Sequence, residues 1–208
     1  MKKLNKKLII PTIVALAIYL TSYSLPKSLN HTTLHYVSLP IDDLIPCFSW
    51  AIIIYVLAFF QWILGAIIVN MNDTDKGYYC ISCFIIGSLI GMCVFIIYPT
   101  AIVQKPLQVH NIFDAFTNLI YAIDSNTNCL PSFHCFVSWT FTRCLFKYDN
   151  LSIRFKFLFL LFSILVFAST VLTKQHYFID IPTGILLAEI SLLLAKRINF
   201  KKLFELIK

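Results

Sequence analysis

Two short stretches of the chain carry side chains that could transfer protons. PSFH holds Ser132 and His134, and HYFID holds His176 and Asp180. Because His176 and Asp180 are four residues apart, a helix would place them on one face, where the carboxylate could orient the imidazole ring and stabilise its protonated form. A carboxylate inside a membrane helix costs about 2.5–3.5 kcal/mol and by default indicates function. His134 on its own fits a buried structural histidine equally well.

The residues before His134 predict a binding site for an oxyanion. Proline is favoured at the first position of a helix, and Pro131 is interpreted as that residue. The backbone N–H groups of Ser132, Phe133 and His134 would then lack acceptors within the helix. Free N–H groups at the positive end of a helix dipole bind anions such as phosphate, and the Ser132 hydroxyl adds another donor.

The composition predicts that these stretches lie within a membrane protein. Of the 208 residues, 59% are hydrophobic and 13% are charged, whereas soluble domains carry roughly 25% charged residues. Apolar runs of about 20 residues can cross a bilayer, and such runs predict six transmembrane helices at residues 8–25, 50–69, 79–98, 129–146, 157–172 and 177–195. The expected fold is all-α, a polytopic membrane protein with six helices in one bundle and a single domain over residues 1–208.

The distribution of positive charge predicts the orientation of the bundle. With six crossings and a cytoplasmic N-terminus, fourteen of the 17 Lys and Arg residues lie inside, and Lys27, Lys105 and Lys174 lie outside. Cytoplasmic loops of membrane proteins are rich in Lys and Arg, so both termini are expected to be cytoplasmic. The protein itself is expected to lie in the cell membrane. The basic residues that give the net charge of +7 are expected to contact anionic lipid headgroups. No nucleic-acid partner is expected.

Under this orientation three polar clusters reach the outer boundary of the membrane. They are YPTAIVQKP with Lys105, LPSFH with His134, and STVLTKQHYFIDIPTG with Lys174 and His176. Lys105 alone is more typical of a lysine that extends to the interface than of a ligand. The stretch NIFDAFTNLIYAI, which precedes LPSFH, fits either a short helix in the interface or an irregular loop. The meeting of three clusters on one side predicts a site on the extracytoplasmic face.

The seven cysteines do not predict a disulfide framework. Five lie within apolar segments, where cysteine behaves as a small hydrophobic residue. Cys47 and Cys129 lie on the outer side and could pair, although free thiols are expected there. The lone C-x-x-C at Cys80 and Cys83 has no second pair and does not predict a zinc site.

The quoted motifs resemble those of the type 2 phosphatidic acid phosphatase superfamily, which also includes vanadium-dependent haloperoxidases. That family carries K-x6-R-P, P-S-G-H and S-R-x5-H-x3-D, whose counterparts here lie within residues 98–184. Ser132, His134, Ser169, His176 and Asp180 keep the family residue at its place. The H-x3-D element, together with P-S-x-H in this order, makes the resemblance specific.

The chain departs from the family pattern at four places. In the first motif, Lys105 stands where arginine is expected and Tyr98 stands where lysine is expected. In the second motif Phe133 replaces glycine, and in the third Thr170 replaces arginine. Lys174 is expected to replace the missing cation, but lysine cannot copy the two-pronged contact of arginine. These variants are similar to the branch related to sphingolipid phosphotransferases.

The resemblance implies a role for each matching residue. His176 would be the nucleophile that forms a phosphohistidine, Asp180 would hold its tautomer, and His134 would protonate the leaving alkoxide. The substrate phosphate would contact Lys105, Ser132, Lys174, Phe133 and Ser169. No cofactor and no metal ion are expected.

The expected function is hydrolysis of a lipid phosphate monoester or pyrophosphate at the extracytoplasmic face. A close alternative is a phosphotransferase that passes the phospho-headgroup to a lipid alcohol. Two further alternatives are a small transporter, in which His134, His176 and Asp180 relay protons, and a pseudoenzyme that only binds lipid phosphate. The expected partners are the lipid phosphate and membrane lipids, and the sequence predicts no oligomeric state.

Overall fold

The computed structural model describes residues 5–29, 33–71, 73–124, 126–198 and 200–206. Regular structure in these ranges is helical, as predicted, apart from two isolated β-bridges. The helices are α1 (Lys6–Ser28), α2 (Pro40–Leu44), α3 (Ile52–Asn70), α4 (Thr74–Ile97), α5 (Ile112–Ile123), α6 (Phe133–Leu145), α7 (Ile153–Leu172), α8 (Asp180–Leu194) and α9 (Lys201–Leu206). A 3-10 turn, Ser49–Ala51, leads into α3.

Four helices in the described ranges are long and apolar enough to cross a membrane, namely α1, α3 with its leading turn, α4 and α7. The other two predicted spans form α6 and α8, with 13 and 15 residues. At 1.5 Å per residue these helices reach about 20 and 23 Å, which is less than the hydrocarbon core of about 30 Å. Six spans are therefore not confirmed, and the cytoplasmic location of both termini stays a prediction.

The predicted segments 129–146 and 177–195 are longer than α6 and α8 because their first residues are not helical. Ser132 precedes α6 as its N-cap, and its hydroxyl accepts a hydrogen bond from the backbone N–H of Cys135 at 3.4 Å. Serine is among the preferred N-cap residues because its oxygen satisfies a backbone donor at the helix start. Residues 177–179 belong to the turn between α7 and α8.

Helix α6 lies at the centre of the bundle, where it packs against α3, α4, α7 and α8. Its side chains Phe136, Val137 and Leu145 are fully buried. The start of α6 approaches α8 very closely at Gly184, where an added Cβ would collide with the backbone oxygen of Ser132. The absence of a side chain at Gly184 thus allows α8 to lie directly against the start of α6.

The stretch NIFDAFTNLIYAI forms helix α5, which decides between the two readings of this segment. Asn111 caps the helix, and its side chain accepts hydrogen bonds from the N–H groups of Phe113 and Asp114. The polar residues Asp114 and Thr117 are buried, whereas Ile112 and Ile123 are 77% and 71% exposed. A helix that buries its polar side and exposes its apolar side suits the membrane interface.

Candidate active site

The three polar clusters meet at one end of the helix bundle, as predicted. The N–H of Ser132 donates to the backbone oxygen of Asp180 at 3.2 Å, which joins the second cluster to the third. The side-chain amide of Gln104 donates to the Gln175 oxygen at 2.8 Å, which joins the first cluster to the third. The location of this end on the extracytoplasmic side stays a prediction.

His176 and Asp180 form a buried pair. The Asp180 Oδ2 atom lies 3.0 Å from Nδ1 of His176 and accepts a second hydrogen bond, also at 3.0 Å, from the N–H of Tyr177. Their side chains are 8% and 0% exposed. A carboxylate that accepts a hydrogen bond from Nδ1–H leaves the imidazole lone pair on Nε2.

The reason for this pairing differs from the predicted one. His176 does not share a helix with Asp180, since α8 begins at Asp180 and His176 lies in the preceding turn. The backbone oxygen of Thr170 accepts hydrogen bonds from the N–H groups of Gln175 and His176 at 3.0 and 3.1 Å. The end of α7 therefore folds the turn back, and this fold, rather than a helical face, brings the imidazole to the carboxylate.

The start of α6 supplies backbone N–H donors beside His176, although the free donors begin one residue later in the chain than predicted. Pro131 is not the first helical residue, because Ser132 is the N-cap and Phe133 begins the helix. The N–H of Ser132 is taken by Asp180, so the backbone groups without acceptors in the helix are those of Phe133 and His134. The Ser132 hydroxyl lies 3.2 Å from His176 Nε2, so the helix start adjoins the lone pair.

His134 lies in a layer of aromatic rings. Its imidazole stacks on Tyr55, with 4.0 Å between ring centroids, and the ring of Trp62 lies at 5.0 Å. The centroid of the His176 ring lies at 6.3 Å. Nε2 of His134 is buried and has no hydrogen-bond partner among the residues that the structure describes. This is not the environment of a satisfied structural histidine, so the functional interpretation is favoured.

Asp124, which follows α5, joins that segment to α1 and α3 near His134. It was not among the predicted site residues. Its Oδ1 accepts hydrogen bonds from the Tyr23 hydroxyl at 2.7 Å and the Lys27 ammonium at 2.9 Å. Its Oδ2 accepts one from the Tyr55 hydroxyl at 3.1 Å. Since Tyr55 stacks on His134, the hydrogen bond from Tyr55 to the Asp124 carboxylate holds in place the ring that packs against His134.

We expect the stabilising effect of Asp124 to depend on pH. Burial raises the pKa of Asp124, but the Lys27 ammonium and the Tyr23 hydroxyl outweigh burial and hold the pKa below its ordinary value of 3.8. A carboxyl whose pKa is lower in the folded state stabilises fully above the unfolded pKa and loses this effect as the pH falls through the folded pKa. Asp124→Asn should therefore lower the unfolding temperature at neutral pH, with a difference from the wild type that shrinks below about pH 4.

This pH dependence is measured by thermal unfolding of the detergent-solubilised protein from about pH 3 to pH 7. Asp43→Asn is the matched control because the Asp43 side chain is exposed, and we expect it to have little effect on the unfolding temperature. A difference for Asp124→Asn that stays constant over the whole range would contradict the prediction.

The predicted phosphate-binding lysines are not in contact with the histidines. Nζ of Lys174 donates to the backbone oxygens of Asp42 and Ile45 at 2.8 and 2.6 Å, so it binds the end of α2. Lys105 is exposed, and its neighbour Gln104 makes the contact with the third cluster. Within the described ranges, the hydrogen bonds of His134, His176 and Asp180 involve no lysine or arginine.

We expect Lys174→Met to lower stability rather than substrate affinity. Hydrogen bonds from a charged group are worth about 1.5–3 kcal/mol, and a loss of 1 kcal/mol lowers the melting temperature by about 2–4 °C in a protein of this size. The measurement is thermal unfolding together with KM for phosphate release. Lys105→Met, at an exposed position, should leave the melting temperature unchanged. A higher KM at an unchanged melting temperature would instead identify Lys174 as a phosphate ligand.

The side chains of Phe133 and Ser169 make structural contacts. The ring of Phe133 is 2% exposed and packs between Tyr19 and Phe95, at 5.5 and 4.9 Å between centroids. It occupies the space beside Gly91 in α4. The hydroxyl of Ser169 donates to a backbone oxygen of its own helix at 2.7 Å. The contribution that Phe133 can make to phosphate binding is therefore its backbone N–H.

An apolar cavity of about 280 Å³ lies between α1, α3, α4 and α6. Phe59 and Trp62 line it and also contact the ring of His134, at 5.6 and 5.0 Å between centroids. Along α3 the lining runs from Phe59 to Asn70, which is about 16 Å at 1.5 Å per residue. Leu20 and Ile63 at its edge are 56% and 57% exposed, so the cavity borders the outer surface of the bundle.

The family model described as PAP2 superfamily matches residues 23–194, a range that contains every element of the site. No curated protein and no solved structure gives a significant match.

Proposed function

Because the chain belongs to the PAP2 superfamily, we propose that it is a membrane phosphatase that hydrolyses a lipid phosphate monoester or pyrophosphate through a phosphohistidine. The observation that carries the proposal is the position of His176. Asp180 binds its Nδ1, while its Nε2 adjoins the Ser132 hydroxyl at the start of α6. An oriented nucleophile beside free backbone donors is what transfer of a phosphoryl group requires.

In the first step, the Nε2 lone pair of His176 attacks the phosphorus atom and the bond from phosphorus to the lipid oxygen breaks. The departing alkoxide takes a proton from the ring of His134, whose protonated form the bound phosphate stabilises, and the ring becomes neutral. Asp180 stabilises the positive charge that develops on the His176 ring. The centroids of the two imidazoles lie 6.3 Å apart, so we infer that one bound substrate contacts both rings.

In the second step, neutral His134 takes a proton from water and the resulting hydroxide attacks phosphorus. The bond between phosphorus and His176 Nε2 breaks, inorganic phosphate leaves, and the lone pair on Nε2 is restored. His134 is protonated again and ready for the next cycle. During both steps the charge on the phosphoryl oxygens is stabilised by the N–H groups of Phe133 and His134 and by the Ser132 hydroxyl.

The apolar cavity supports a lipid as the substrate. It begins at the aromatic rings that hold His134 and continues about 16 Å along α3, so a chain attached to a phosphate at the site could lie in it. Ligand pockets for small molecules start at about 300 Å³, close to the volume of this cavity. We place the site at the extracytoplasmic face of the cell membrane, on the basis of the positive charge in the predicted cytoplasmic loops.

A second candidate function is transfer of the phospho-headgroup to a lipid alcohol. The observation that favours it is the burial of both histidines, each 8% exposed, beside a cavity that suits an apolar acceptor better than bulk water. The chemistry of the first step is the same in both functions. The acceptor in the second step separates them.

The test is release of phosphate from defined lipids by the purified full-length protein in detergent with EDTA present. Phosphatidic acid, phosphatidylglycerol phosphate and undecaprenyl pyrophosphate are offered separately. Release of phosphate from one of them supports the phosphatase. A labelled headgroup that moves to an added lipid alcohol identifies the transferase, and no turnover of any of these lipids in either assay contradicts the proposal.

A further inference from the structure

Cys129 adds a third potential metal ligand to the pair of His176 and Asp180. Each of the three residues offers a ligand atom, and these atoms lie within 4.8 Å of one another. The side chains are 2%, 8% and 0% exposed in the order Cys129, His176, Asp180. They come from two separate elements, because Cys129 precedes α6 while the other two belong to the start of α8 and its preceding turn.

The second carboxylate oxygen of Asp180 is a buried acceptor that a cation bound at this cluster would satisfy. Oδ1 is buried and has no hydrogen-bond partner in the part of the chain that the structure describes. A buried carboxylate oxygen without a partner is unfavourable, because it has lost its contacts with water and gained none in the protein. The thiol of Cys129 makes a weak contact of 3.4 Å with the backbone oxygen of Asn126. A cation bound between the thiol and Oδ1 would satisfy both.

The donor types select the metal. Magnesium and calcium prefer sets of oxygen ligands, whereas a cysteine sulfur, a histidine nitrogen and a carboxylate oxygen together suit Zn²⁺. Three protein ligands leave the fourth tetrahedral position for water. We propose that Cys129, His176 and Asp180 form a Zn²⁺ site whose occupation switches the phosphatase off.

Binding of Zn²⁺ would inhibit the phosphatase because it changes the protonation of Cys129 and occupies a lone pair of His176. Zn²⁺ binds Cys129 as the thiolate, so the thiol proton is released to water. His176 contributes one ring lone pair: if Nδ1 binds the ion, the ring proton moves to Nε2, and if Nε2 binds it, that lone pair is used directly. In either case Nε2 can no longer attack phosphorus. This inhibition rests on the proposed function, whereas the binding of the ion does not.

Binding is tested with Co²⁺, which takes the place of Zn²⁺ and absorbs light. Addition of Co²⁺ to the purified full-length protein should produce a charge-transfer band from thiolate to cobalt, which Zn²⁺ then removes. The band should disappear in Cys129→Ser and remain in Cys47→Ser, a matched control because Cys47 is a free and exposed cysteine. Absence of the band in the wild type, or its persistence in Cys129→Ser, would overturn the proposal whether or not the protein is a phosphatase.

Inhibition is tested by phosphate release at increasing Zn²⁺ concentration, after removal of EDTA. Loss of one ligand should raise the concentration for half-maximal inhibition by about tenfold or more in Cys129→Ser. Cys47→Ser should match the wild type. Equal inhibition of the wild type and Cys129→Ser would overturn the link between this site and the activity. If no lipid is hydrolysed at all, the proposed function fails while the cobalt spectrum still decides whether the metal site exists.

Discussion

Replacing His176 by alanine is expected to lower the rate of phosphate release by about 10⁴-fold or more, because the reaction loses its nucleophile. Neither His134 nor Ser132 is placed to substitute for it. His134 is 6.3 Å away between ring centroids and stacks on Tyr55, and the Ser132 hydroxyl lies next to His176 Nε2 without a second base to activate it. The loss should appear in kcat, while the binding of the lipid is largely retained.

The matched control for this substitution is His110→Ala. His110 is an exposed histidine in the segment that leads into α5, and its replacement should leave the rate within about twofold of the wild type, as is usual for exposed positions. Phosphate release that survives in His176→Ala, with the same lipid and the same EDTA concentration, would show that another residue attacks phosphorus. The covalent mechanism would then be wrong.

Asp180→Asn tests the orientation of the same ring. The amide keeps the size of the side chain, but it can no longer act as an anionic acceptor for Nδ1–H and for the N–H of Tyr177 together. A histidine in the wrong tautomer has its proton on Nε2, so we expect a loss in kcat of up to about 10⁴-fold. An activity close to that of the wild type would show that the carboxylate does not set the tautomer.

The candidate reacting residues could be proposed from the sequence because each motif is short, and their catalytic roles stay a prediction. P-S-x-H spans four residues and H-x3-D spans five, and the structure brings Ser132 of the first motif to 3.2 Å from His176 of the second. The prediction that one helix carries both His176 and Asp180 was wrong, since Asp180 begins α8 and His176 lies in the preceding turn. An apolar pattern does not show where a turn ends, and for the same reason α6 and α8 were predicted too long.

The supporting residues could not be predicted because their contacts join distant parts of the chain. Asp124 binds Tyr23 and Tyr55 across 101 and 69 positions, and Asp42 binds the N–H of Phe178 across 136 positions. Such pairs leave no periodic signal in a single sequence. The same limit explains Lys174, whose charge suggested phosphate binding but whose ammonium is held by two carbonyl oxygens near α2.

Replacing His134 by glutamine is expected to slow release from an alkyl phosphate by about 10²–10⁴-fold, the usual contribution of a general acid. The buried ring adjoins His176 and has an Nε2 without a partner in the described ranges, which suits a group that exchanges protons with the substrate. A lipid alkoxide is a poor leaving group unless it is protonated as the bond breaks. Nitrophenolate is stable without that proton, so the first turnover of nitrophenyl phosphate should be much less affected.

The second step separates this role from a merely structural one. Because the same ring activates water, His134→Gln should hydrolyse the phosphohistidine slowly even when nitrophenolate leaves fast. Rapid mixing should then show a burst of nitrophenolate close to one equivalent, and radiolabelled phosphate should stay bound to the protein and be released by acid. If the burst is slowed as much as the turnover of the alkyl phosphate, loss of packing against Tyr55 and Trp62 explains the defect, and His134 is not the general acid.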